Sequence, residues 1–69
     1  MTFELFRFAS IAVKMSFDSD ADYDDCIGEI TVTDHTHTYQ YFQAFYSAAA
    51  RNTAMAEAMR IAAKLVEEM

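Results

Sequence analysis

Apolar and polar positions along the chain follow two different periods. From Met55 onward, Met55, Ala58, Met59, Ala62, Leu65, Val66 and Met69 recur every three or four residues, and Thr53, Glu57, Arg60, Lys64 and Glu67 keep the same period on the opposite side. That spacing predicts an amphipathic helix, rich in the strong helix formers Ala and Met. Ser47 is a natural N-cap for it, and Asn52 or Thr53 could cap a later start. Glu67 and Glu68 sit where the helix macrodipole disfavours negative charge, so the last turn is expected to fray. The Met and Ala stripe is read as core, its alanines letting the helix lie close on a flat partner.

Upstream, the period drops to two. In "IGEITVT" (27–33), Ile30 and Val32 alternate with Glu29, Thr31 and Thr33, and "THTYQYFQAFY" (36–46) is dense in aromatics that favour strands. Asp34 and His35 between them are suitable turn residues. In "FELFRFASIAVKMSF" (3–17), Ala9, Ile11, Val13, Met15 and Phe17 alternate with Ser10, Lys14 and Ser16, which predicts a strand. Leu5, Phe8, Ala9, Ala12 and Met15 would also fit a helical stripe. The expected fold is α+β, a three-stranded antiparallel sheet in the order β-β-β-α, with the C-terminal helix packed on one face. Residues 1–69 are expected to form a single domain, with no repeat and no linker.

One helix covers one face of such a sheet. Strict alternation puts Tyr39, Tyr41 and Phe45 on one side of strand three and Phe42, Ala44 and Tyr46 on the other. It likewise sets Phe6 and Phe8 against Leu5, Ala9 and Ile11. With aromatic groups on both faces, one face is expected to meet another protein, most simply a second copy of the chain.

Charge changes this picture more than composition does. The apolar fraction is 54%, too high for a disordered acidic tail, and one Gly with no Pro favours continuous elements over loops. The net charge of −6 comes entirely from the middle of the chain. Asp18, Asp20, Asp22, Asp24, Asp25, Glu29 and Asp34 lie in one segment without Lys or Arg, while the charges elsewhere nearly cancel. Such a field repels phosphate backbones and attracts basic protein surfaces, so direct nucleic-acid binding is not expected. Glu4, Arg7 and Lys14 interrupt the early apolar residues, so neither a signal peptide nor a membrane span is expected. The lone Cys26 allows no internal disulfide and fits a reducing, cytoplasmic setting.

Three kinds of chemistry come into question. The run "DSDADYDDCIGE" places Asp18, Asp20, Asp22 and Glu29 at positions 1, 3, 5 and 12 of an EF-hand loop. Tyr23 stands where that loop needs Gly, Asp25 where it needs an apolar residue, and a strand follows in place of a helix. A true EF-hand is therefore rejected, leaving only weak cation binding as an alternative. His35 and His37 could face one way and hold zinc with Asp34, but no Cys/His set completes four ligands. Asp24 and Asp25 beside Cys26 raise a thiol's pKa, the opposite of nucleophile activation. Mutually exposed carboxylates are equally unsuited to acid–base work. No cofactor, metal or catalytic residue is expected, and the chain is read as not an enzyme.

A short acidic chain whose charge sits in "DSDADYDD", without catalytic motifs, resembles the small phage-encoded inhibitors of host or defence machinery, among them anti-CRISPR and anti-restriction proteins. The resemblance implies a protein of the host-cell cytoplasm that occludes a basic site on a nucleic-acid-processing complex. Asp18, Asp20, Asp22, Asp24 and Asp25 would then stand where phosphates sit. Glu29, Tyr39 and Tyr41 complete the expected partner-binding set, the acidic residues steering and the tyrosines anchoring. The alternatives are a structural homodimer with no inhibitory role and a weak cation-binding module.

Overall fold

The computed structural model describes residues 2–18, 27–34 and 38–69. It is an α+β fold of four antiparallel strands, β1 (Thr2–Phe8), β2 (Ile11–Phe17), β3 (Gly28–Thr33) and β4 (Tyr39–Phe45), followed by one helix, α1 (Ala48–Glu67). Spatial order follows chain order, so the sheet is a simple meander with β1 and β4 at its edges.

The expected first strand is in fact a hairpin. Phe8 and Ile11 lie directly opposite each other, and Ala9 and Ser10 form the two-residue loop between them. Ala9 takes φ 53, the left-handed region normally left to Gly, Asn or Asp. Nothing in "FASI" signals a turn chemically, which is why alternation alone carries a single strand through it. An L-residue in this region costs about 1–2 kcal/mol, and replacing it by Gly recovers that only in part, because Gly has greater freedom in the unfolded chain. Ala9→Gly is therefore expected to stabilise the fold by about 0.5–1 kcal/mol, raising Tm by roughly 4 °C in thermal melts followed by circular dichroism. A lower Tm would contradict the strained turn.

Two extra residues then reset which side chains face the helix. In β1, Glu4 pairs with Lys14 and Phe6 with Val13, so Leu5 is inserted as a bulge. In β4, Val32 pairs with Tyr41 and Thr33 with Tyr39, so Gln40 is inserted. Pairs directly opposite share a face. The helix-side face thus carries Phe3, Phe6 and Phe8 from β1, Ile11, Val13, Met15 and Phe17 from β2, Ile30 and Val32 from β3, and Tyr41, Gln43 and Phe45 from β4. The other face is mostly polar. Its cross-strand rows are Thr2–Ser16–Glu29–Ala44, Glu4–Lys14–Thr31–Phe42 and Arg7–Ala12–Thr33–Tyr39. The expected large apolar second face is not there; Phe42 and Tyr39 are the aromatic members of these rows.

The helix forms where its stripe predicts. The Ser47 hydroxyl accepts from the Ala50 N–H at 3.1 Å, and the helix ends at a Glu68 C-cap. Ala54, Ala58 and Ala62, one per turn, are buried against Ile11, Val13, Met15, Ile30, Val32 and Phe45. Small residues on that ridge let α1 settle on the branched side chains of β2 and β3. Its main contacts go to β2, β3 and β4, while β1 lies at the margin of the core with Leu5 and Phe6 packed against it. Phe17 touches Phe3 and Phe45 edge to face, with ring centroids 5.7 and 6.1 Å apart.

Candidate functional site

The meander gathers the end of β2, the start of β3 and the end of β4 at one end of the sheet. There the Asp18 N–H donates to the Ile27 carbonyl at 3.0 Å, closing the base of the acidic segment. Ser16, Phe17, Asp18, Ile27, Gly28, Glu29, Ala44 and Tyr46 line a recess of about 300 Å³ at this point. Asp18 and Glu29 are exposed, and Tyr46 is the most open of the described large apolar side chains, at 76%. Two carboxylates thus stand beside aromatic surface. That arrangement suits a Lys or Arg side chain, whose stem packs on a ring while its charge meets the carboxylates.

Of the residues expected to bind a partner, Asp18 and Glu29 are brought together at this recess. Asp20, Asp22, Asp24 and Asp25 lie outside the described residues, as do Cys26, His35 and His37. The two tyrosines part company. The Gln40 insertion sends Tyr39 to the polar face, where it is 68% exposed beside Phe42 at 55%. Tyr41 faces the helix and packs against the core. Burial, and secondarily the Glu57 charge, raise the Tyr41 phenol above its ordinary value. Glu57 is itself held low by its hydrogen bond from Arg60. Tyr41 is thus a packing residue, and Tyr39 stands at the far end of β4, about 20 Å from the acidic end.

Tyr46 is the exposed aromatic of this recess that the sequence reading does not single out. Its position was readable: in any meander the end of the last strand returns to the start of the one before it. The residue just ahead of the Ser47 cap must therefore neighbour the acidic segment.

At the opposite end, Asp34 is a structural turn residue. Its carboxylate accepts from the Thr38 N–H at 3.3 Å and the Gln40 side-chain amide at 2.9 Å, while its own N–H donates to the Thr38 carbonyl. Among the described residues no group of three or more His, Cys, Asp or Glu is placed to hold a metal ion. No helix among them is long and apolar enough to cross a membrane. No protein-family model matches the chain, and no curated protein or solved structure is significantly similar to it.

Proposed function

We propose that the chain is a non-enzymatic binding protein that docks its acidic end on a basic protein surface, as an inhibitor or modulator of a host nucleic-acid-processing complex. One observation carries this reading. The segment that holds the whole charge imbalance is pinned at Asp18 and Ile27 beside the exposed Tyr46 and the Glu29 carboxylate. Clustered negative charge speeds encounter with a basic partner, and a neighbouring aromatic supplies contact area that charge alone lacks. The acidic residues then occupy positions a phosphate backbone would otherwise fill.

Affinity capture from lysate tests the proposal, with a variant carrying Asp20→Lys, Asp22→Lys and Asp24→Lys run alongside. The wild type is expected to retain a nucleic-acid-binding complex at low salt and release it at high salt, where exposed charges are screened. The variant is expected to retain none while keeping the wild-type circular dichroism spectrum. The same complex held equally by both proteins at high salt would count against an electrostatic dock.

A further inference from the structure

We infer that β1 is a self-pairing edge, joining a second copy of the chain across a two-fold axis to make a continuous eight-stranded sheet. The inference rests on the chemistry of β1 and is independent of the acidic end. β1 is an edge strand at the margin of the core, where Leu5 and Phe6 pack, yet its helix-side face leaves Phe3 and Phe8 41% and 51% exposed. On the helix, Ala50, Thr53 and Ala54 line a recess with Tyr41 and Gln43, so that flank faces β4. At 3.6 residues per turn, Met55, Met59 and Val66 lie on the opposite flank, toward β1. The result is an apolar ledge with a Met-rich wall.

The occupant is identified by self-complementarity. Two-fold antiparallel pairing must place one strand position opposite itself, and opposed residues must share a face. Counting the bulged Leu5 and Phe6 as one position makes β1 symmetric about the bulge. Glu4 then opposes Arg7 of the second copy, and Phe3 opposes Phe8 of the second copy. The faces agree as well, with both charges on the polar side and the phenylalanines on the helix side. Without the bulge, Glu4 and Arg7 would fall on opposite faces, and this register could not form; within one chain the two already form an ion pair on the polar face.

An edge guarded by charge alone carries lysines or like charges, which repel a second copy. β1 carries one charge of each sign, placed so that two copies attract. The same pairing sets both helices on one side, with the phenylalanine ledges joined between them. It also puts the two acidic ends at opposite ends of the composite sheet, where their repulsion is weakest.

Sedimentation equilibrium over a range of protein concentrations tests this with three proteins: the wild type, Glu4→Arg and Arg7→Glu. The wild type is expected to approach twice the 7.9 kDa chain mass. Each variant sets like charges across both contacts and is expected to weaken association about tenfold or more. An equimolar mixture of the two variants is expected to regain association. In the mixed pair, a β1 with arginine at both charged positions faces a β1 with glutamate at both. The repulsion within each chain is unchanged on mixing, so recovery can arise only across the interface. A monomeric wild type would overturn the inference, as would variants that associate as tightly as wild type or a mixture that recovers nothing.

Discussion

Gly28→Ala is expected to destabilise the fold by about 3 kcal/mol and lower Tm by roughly 15 °C. Gly28 opens β3, between Phe17 on β2 and Phe45 on β4. A Cβ there would run into the Ser16 carbonyl oxygen and stand 3.0 Å from the Phe17 Cα. Both obstacles are backbone, so no rotamer change relieves them, and the β2–β3 ladder must spread. The expected sign is opposite to that of ordinary strand preference, in which Gly weakens a strand interior relative to Ala. A domain of this size has only about 3–10 kcal/mol of stability, so this loss removes about a third of it or more. A Tm within a few degrees of wild type in calorimetry would mean that the ladder yields.

Phe45→Ala is expected to cost about 3–5 kcal/mol, measured from urea unfolding midpoints. Phe45 is fully buried and is among the largest side chains in the core. Its ring meets Phe17 at an interplanar angle of 80° on the helix side of Gly28, the residue between them in the sheet. The absence of a side chain at Gly28 is what leaves room for that contact. Only Tyr46 and Ser47 separate β4 from α1, so Phe45 also fixes where the helix starts. Phe45→Leu, which fills most of the volume, is expected to lose less than half as much. Equal losses from the two variants would show that ring contact, and not filled volume, dominates the site.

Local patterning was legible where side chains alone determine structure. The alanines of the helix stripe, the Ser47 cap and the alternation from Ile11 to Phe17 correspond to what the fold uses, whereas Met59 and Met69, read as core, are exposed. Parity was not legible, because a two-residue turn and two single-residue insertions reset it. Ala9 turns the chain with no Gly, Asn or Asp, while Leu5 and Gln40 are each inserted into an otherwise regular ladder. Each event moves every aromatic beyond it to the other face. Alternation puts Tyr39 and Tyr41 on one face, and the fold puts them on opposite faces. The polar second face, where an apolar one was expected, has the same origin.

The candidate site divides in the same way. Charge segregation around Asp18 and Glu29 is a property of composition and could be read directly. The aromatic partner of those charges depends on which strand ends meet, and only the meander brings Tyr46 to them.

The most direct measurement is a ¹⁵N–¹H spectrum of the labelled protein titrated with an arginine-rich peptide as a probe of basic surface. The expected result is a set of saturable shifts at Ser16, Asp18, Ile27, Glu29, Ala44 and Tyr46, lost at high salt and reduced by Tyr46→Ala. Shifts confined to Tyr39 and Phe42 at the far end of β4, or none at all, would contradict docking through the acidic end.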